Sequence, residues 1–274
     1  MCTNFIDVPT IVRMPDDPAA VRFTVLDPPD SPAAPIGTSR LPEFYAYPDD
    51  VSSRWVRGNM ISSLDGGATD NGTSGALGGA GDRAVFSAMR EVADVILVGA
   101  GTVRAENYSG AQFSLAQRQA RQHRSQAEVP PIAVVSNRGV FNHDAKLFTR
   151  TEVAPLILTA AAAVDETRNR LGSAAEVIAA SGARPDTVDP AAALDVLAGR
   201  GLRRVLCEGG PQLLGSLVGQ GLLDELCLTI APVLVGGAAR RIITGPGQLH
   251  AAMRRSHLLS DDAGYLYARY LPVA

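Results

Sequence analysis

The stretch from Leu202 to Gly237, LRRVLCEGGPQLLGSLVGQGLLDELCLTIAPVLVGG, decides the fold. Its run Val205-Leu206-Cys207 has no polar alternation, which suits a strand buried on both faces of an α/β sheet. Glu208 ends that run. Gly209 and Gly210 allow a sharp turn, and Pro211 stands where a first helical residue belongs, its φ already helical. A helix follows, with Leu213, Leu214, Leu217 and Val218 on one face and Gly219 and Gly221 at its end. A strand, a glycine turn and the unpaired N–H groups of a helix start form a site for a phosphate. Glu208 stands beside that site. For an EGG triplet alone, the plain alternative is a solvated strand-end carboxylate followed by ordinary turn glycines.

Downstream, Glu225 to Pro232 reads as a strand, and a closing hairpin runs from about His257 to Leu271 through Asp261-Asp262-Ala263-Gly264. Upstream, Trp55 to Ile61 is a strand that ends in the turn Ser62-Ser63-Leu64-Asp65-Gly66-Gly67, where Asp65 caps and the glycines take positive φ. Thr69 to Gly79 is rich in Gly, Ser and Thr; loops of this type lie against ligands or simply flex, and flexing is the expectation. Asp82 to Val92 is a helix presenting Val85, Phe86, Met89 and Val92 to the core. Ala93 to Val98 is a second buried strand, followed at once by Gly99-Ala100-Gly101-Thr102. Arg104 holds the third-glycine position of a dinucleotide fingerprint, so that fingerprint is rejected, yet Gly99 still permits close backbone approach at a strand's carboxyl end. Residues 114–127 are polar and helix-forming, with Arg118, Arg121 and Arg124 spaced as a solvated face. Pro131 to Ser136 is a third strand with Asn137-Arg138-Gly139 as its turn. Further strands are expected at Ala154 to Thr159 and Glu176 to Ala179, and Asp189-Pro190 opens a helix reaching Gly199. The fold class is α/β: a mixed, mostly parallel sheet with helices on both faces and a C-terminal antiparallel hairpin.

The 274 residues suffice for one large domain plus an extension. Residues 1–52 are proline-rich and are expected as an extended N-terminal arm packing on the core through Phe23, Val25, Leu26, Phe44 and Tyr45; residues 53–274 form the main domain. With 46% hydrophobic and 19% charged residues and a net charge of −3, nucleic acid is not an expected partner. Cys2, Cys207 and Cys227 form no CxxC pair, which fits a reducing, cytoplasmic setting and argues against a metal site. No run of about eighteen apolar residues occurs, so no membrane partner is expected.

SLDG at Ser63 to Gly66, VGAGTVRAE at Val98 to Glu106, EGGPQLLGSL at Glu208 to Leu217 and LDELCLTIAPVLVGG at Leu223 to Gly237 resemble the pyrimidine reductase family of riboflavin biosynthesis. The resemblance runs from about Trp55 to the C-terminus and implies a dihydrofolate-reductase-like fold. It implies hydride transfer from NADPH to a phosphorylated ribosylamino-pyrimidine, opening the ribosyl to a ribityl group, in a homodimer. Ile61, Thr102 and Ser136 match cofactor contacts, and Glu106 matches a family aspartate. Gly210, Pro211, Gln212, Leu213, Leu214, Gly215 and Ser216 match the pyrophosphate-binding turn and helix, with Gly209 before them. Ser74, Arg90 and Glu208 match substrate contacts. Arg138 is a candidate partner for a 2′-phosphate. Glu208 and Asp65 are the candidate catalytic carboxylates, each able to hold a pyrimidine or pterin edge.

The chain departs from the family at three places. Ala76 stands where relatives can have a stacking tryptophan, Ser109 replaces an apolar substrate contact, and Phe113 falls where a substrate-phosphate arginine aligns. Arg118 or Arg121 would then have to supply that cation. The zinc-binding H-x-E and P-C-x-x-C of an attached deaminase domain do not occur. Two other readings share these residues: an NADPH-dependent reductase of dihydrofolate or a related pterin, and a non-catalytic nucleotide-binding protein.

Overall fold

A computed structural model describes residues 21–27 and 35–273. Their strands are β1 (Arg22–Asp27), β2 (Ile36–Gly37), β3 (Trp55–Ser63), β4 (Val95–Gly99), β5 (Ile132–Ser136), β6 (Leu156–Thr159), β7 (Glu176–Ala179), β8 (Arg204–Cys207), β9 (Glu225–Ala231), β10 (Met253–Asp261) and β11 (Leu266–Pro272). The helices are α1 (Leu41–Phe44), α2 (Ala80–Val92), α3 (Ala100–Ala105), α4 (Leu115–His123), α5 (Lys146–Thr149), α6 (Val164–Leu171), α7 (Pro190–Gly199) and α8 (Pro211–Gly219). All the strands join one sheet in the order β2-β1-β10-β11-β9-β3-β8-β4-β5-β6-β7. From β9 to β7 every pairing is parallel, and from β9 outward through β11, β10, β1 and β2 every pairing is antiparallel.

The unbroken apolar runs are strands because both of their faces are covered. In β4, Ile96 and Val98 face a cluster containing Val103, Val134, Leu147, Ile157 and Leu171, whereas Val95 and Leu97 face Leu194, Leu197, Val205 and Leu217 on the opposite side. Alternate residues of a strand point to opposite faces, so a strand with helices on both sides needs apolar residues at every position. Central β8 behaves alike, with Leu206 packed against α2 residues Val85 and Met89, and Val205 and Cys207 packed beneath α7 and α8. Cys207 and Cys227 are buried free thiols; Cys2 lies outside the described residues.

The described part of the proline-rich segment does more than pack on the surface. β1 hydrogen-bonds to β10 and extends the sheet, and Phe23, Leu41 and Tyr45 are almost wholly buried. Arg57, on β3, joins this segment to the core. Its guanidinium lies 4.1 Å from the Tyr47 ring centroid, donates to the Tyr45 carbonyl at 2.6 Å and pairs with Glu225. Glu225 also accepts from Arg269 at 2.7 Å and from Trp55 Nε1 at 3.1 Å. Burial alone would raise the Glu225 carboxyl, but Arg57 and Arg269 outweigh it and hold it below its ordinary value. Arg57 and Glu225 have side chains with no exposed surface.

Several helices differ from expectation, among them the short α1 and α5, for which no helix was expected. α3 forms on the glycine-containing stretch after β4, where only a turn was expected. Its two buried residues, Ala100 and Val103, pack into the core and offset the poor helix propensity of Gly101. α6 was not anticipated, although Val164, Thr167 and Leu171 carry helical spacing. In α4, capped by Ser114 and Gln117, the row of arginines is not a solvated face throughout. Arg121 is fully buried and donates to the carbonyls of Glu91, Ala93 and Ala127, closing the end of α2.

Candidate active site

The carboxyl ends of parallel strands are where open α/β sheets bind ligands. Here β3, β4, β5 and β8 end around one cleft of about 2400 Å³. Small-molecule pockets usually span about 300–1,000 Å³, so this one has room for a dinucleotide and a second ligand together.

Two strand-end turns form the middle of the cleft. Glu208 N–H donates to the Leu97 carbonyl at 2.9 Å, and Gly99 N–H donates to the Gly209 carbonyl at 2.8 Å, so the GAGT and EGG turns lie side by side. Gly209 has φ +86°, a conformation that favours glycine, while Gly210 has φ −70°. The conformational demand is therefore at Gly209, and Gly210 is needed for close approach. A Cβ on Gly210 would lie 2.6 Å from Thr102 Oγ1. Gly210, Pro211, Gln212, Leu213 and Ser216 line the cleft, so the first turn of α8 faces it with unpaired N–H groups and a positive dipole end. Ile61, Gly99, Thr102, Ser136 and Arg138 line the same cleft.

A second group gathers around Glu208, which is 7% exposed. Arg90, on α2, donates through Nε to Oε1 at 2.7 Å and through a terminal nitrogen to Oε2 at 2.8 Å, and Tyr108 O–H donates to Oε2 at 2.7 Å. Burial alone would lower Arg90, but Glu208 and Tyr108 outweigh it and keep the guanidinium charged. Burial, then the Glu208 charge, pushes the Tyr108 phenol up, so it stays a neutral donor. A carboxylate has about four acceptor positions, and three are taken. Glu208 is thus a preorganised acceptor with room for one more N–H or O–H, fewer than a solvated strand-end carboxylate would offer. Ser74 joins the site through Glu106, whose Oε1 accepts from Ser74 N–H at 2.7 Å and from Ser74 Oγ at 2.9 Å. That tie, with a tight turn at Asp70–Thr73 and a bond from Tyr265 O–H to the Leu77 carbonyl, holds the stretch 69–79 in place where a flexible loop was expected.

Several candidates lie elsewhere. Asp65 does not line the cleft; its carboxylate accepts from Ser63 Oγ and from the amides of Val235 and Gly236. Leu214 is fully buried, and Gly215 presses against the Thr244 carbonyl, because only one face of α8 is turned to the cleft. Phe113 packs on the core cluster beneath α3, and Arg121 lies 5.5 Å above its ring. Arg118 pairs with Glu152 and Glu128. Neither Arg118 nor Arg121 reaches the cleft, where Arg104, Arg138 and Arg240 supply positive charge instead.

Sequence reasoning missed Asp82 and Tyr108. Asp82 sits in the first turn of α2 and reads there as an ordinary helix-start acid. In the fold it lines the cleft beside Phe86, and burial raises its carboxyl above the ordinary value against a hydrogen bond from Thr229 of β9. Tyr108 follows Asn107, whose φ of +52° turns the chain back toward Glu208. Among the described residues no cluster of His, Cys, Asp and Glu is arranged to hold a metal ion, and no helix is long and apolar enough to cross a membrane.

Residues 54–267 match the model of the RibD C-terminal domain. The chain belongs to the RibD C-terminal domain family. Two relatives, both named 2,5-diamino-6-ribosylamino-4(3H)-pyrimidinone 5′-phosphate reductase, match along most of their length. That of Methanothermobacter thermautotrophicus is 31% identical over 214 residues, covering 74% of this chain and 93% of the relative. That of Archaeoglobus fulgidus is 29% identical over 180 residues, covering 65% of this chain and 80% of the relative. Among solved structures, a pyrimidine reductase-like protein from Corynebacterium diphtheriae superposes with a TM-score of 0.76 and 26% identity, over 85% of this chain and 99% of the other. The riboflavin biosynthesis reductase Rib7 of Saccharomyces cerevisiae shares the fold, with a TM-score of 0.61 at 16% identity. These RibD-type neighbours have the dihydrofolate-reductase-like fold anticipated from the four motifs. The family match starts at residue 54, so β1, β2 and α1 lie outside the matched stretch.

Proposed function

We propose that the chain is an NADPH-dependent reductase of a phosphorylated ribosylamino-pyrimidine, reducing the ribosyl to an open ribityl group. The observation that carries this reading is one cleft that brings two kinds of group together. A glycine turn at a helix N-terminus lies next to the cluster of Glu208, Arg90 and Tyr108, with Glu208 opening the turn. NADPH, when bound, supplies the hydride. The residues present fit it: the bare Gly210 backbone and the first turn of α8 would take the pyrophosphate, and Arg138 would take the 2′-phosphate as a rigid fork. Beside that turn, Arg90 and Tyr108 hold Glu208 in one orientation, so its remaining acceptor position is fixed for a substrate hydroxyl or ring N–H.

Asp82 supports a substrate ring with a donor edge. The relatives' names describe a 2-amino-4(3H)-pyrimidinone, in which a ring N–H and an exocyclic amine lie side by side and match the two oxygens of a carboxylate. A dihydropterin presents the same edge without a phosphate. Phe113, packed on a core cluster in place of a phosphate-binding arginine, favours that second reading.

The test follows NADPH oxidation with 2,5-diamino-6-ribosylamino-4(3H)-pyrimidinone 5′-phosphate and with dihydrofolate as alternative substrates. The expected result is a kcat/KM at least about a hundredfold higher for the phosphorylated pyrimidine, since Arg104 and Arg240 in the cleft offer its phosphate the charge-assisted contacts that Phe113 cannot. A preference for dihydrofolate selects the pterin reading, and tight NADPH binding without turnover of either selects the non-catalytic one.

The cofactor placement has its own check. Gly210→Val puts branched carbons against Thr102 and into the space over the turn. NADPH affinity should fall by at least about tenfold, roughly 1.4 kcal/mol, in a variant whose circular dichroism matches wild type. Unchanged affinity would remove the pyrophosphate from this turn.

A further inference from the structure

We propose that Asp65 is a positioning residue for cofactor binding: it holds the segment 233–240 as one wall of the cleft, and that wall sets the affinity for NADPH. The inference rests on the cofactor reading above.

The turn after β3 and the segment after β9 are joined at both ends by backbone bonds. Leu64 N–H donates to the Val233 carbonyl at 2.9 Å, and Ala68 N–H donates to the Arg240 carbonyl at 2.7 Å. Between these ties the Asp65 carboxylate holds the segment. It accepts from the amide of Val235 at 3.2 Å and from that of Gly236 at 2.7 Å, while Ser63 Oγ donates to it at 2.5 Å. Ser63 Oγ in turn accepts from Gly67 N–H at 2.9 Å, so the carboxylate is fixed before the segment meets it. The donors, Ser63 first and then Gly236 and Val235, hold the Asp65 carboxyl down at about 2, and it stays charged at neutral pH. Val235, Gly236, Ala239 and Arg240 all line the cleft, whereas Asp65 does not. The chain then passes to Thr244, whose N–H donates to the Pro211 carbonyl at 3.1 Å, at the first residue of α8. The wall held by Asp65 therefore ends on the helix start assigned to the pyrophosphate. A binding wall displaced by about an ångström can cost one to two orders of magnitude in the step it serves.

The experiment compares wild type, Asp65→Asn and Asp65→Ala in the full chain by NADPH titration and by hydrogen exchange at the Val235 and Gly236 amides. The expected result is faster exchange at both amides and a Kd for NADPH raised at least about tenfold in Asp65→Ala, with Asp65→Asn between the two because it keeps one acceptor. Faster exchange with an unchanged Kd would overturn the positioning role while leaving the cofactor reading intact. Unchanged exchange would overturn the clasp itself. Wild-type protein that binds no NADPH would overturn the cofactor reading, and this proposal with it. Should Asp65→Ala fail to fold, the Asp65→Asn arm gives the same readouts.

Discussion

Replacing Glu208 by glutamine is expected to lower kcat/KM by one to two orders of magnitude, about 1.4–2.8 kcal/mol of transition-state stabilisation, with NADPH affinity close to wild type. The amide keeps the side chain's size, but it removes the charge and turns one acceptor oxygen into a donor. Arg90 donates to both oxygens and Tyr108 to one, so Arg90 faces an N–H₂ group in either orientation of the amide and Tyr108 faces it in one. The Glu208 side chain is 2% exposed and that of Arg90 17%, so water does not simply replace the lost partner. The melting temperature should fall as well, because a charge-assisted pair in a mostly buried setting is broken. What separates a catalytic-site role from a purely structural one is the kinetic split. A lower melting temperature with kcat/KM near wild type would make Glu208 an anchor for Arg90 and nothing more.

The largest loss of stability is expected from Glu225→Ala. Removing one partner of a buried ion pair leaves the other charge uncompensated, which costs about 3–5 kcal/mol. Here Arg57 has no exposed side-chain surface and Arg269 only 14%, and both lose their carboxylate. Urea denaturation should show the loss as a lower midpoint, and the double variant Arg57→Met with Glu225→Leu should be less damaging than Glu225→Ala alone, since it leaves only Arg269 to find another partner. The sign with pH follows from the depressed carboxyl. The stability that Glu225 contributes is present above the ordinary glutamate range and is lost as pH falls through its lowered value. A destabilisation under about 1 kcal/mol would mean that water or backbone carbonyls satisfy the two arginines instead.

Local chemistry made part of this protein legible in its sequence. Val205 to Cys207 is apolar at every position because helices cover both faces, and Pro211 starts α8 where a fixed φ and a missing N–H cost nothing. The strand Glu176–Ala179 and the helix Pro190–Gly199 fall where their residues place them, since caps, turns and periodicity act over a few positions. The four motifs, in order, carried the family. Tertiary structure alone decided which polar groups meet. Asp65 and Glu208 both follow strands and both looked like site carboxylates; packing gave Glu208 to Arg90 and Tyr108 in the cleft and Asp65 to the amides of a segment about 170 residues away. Arg121 looked solvated and closes α2, whereas Asp82 looked like a helix-start acid and faces the cleft with Thr229 behind it. A charged side chain's pattern in sequence records only its local setting. Its partner, its burial and hence its chemistry depend on residues brought close by strand order, and no short-range period encodes that order.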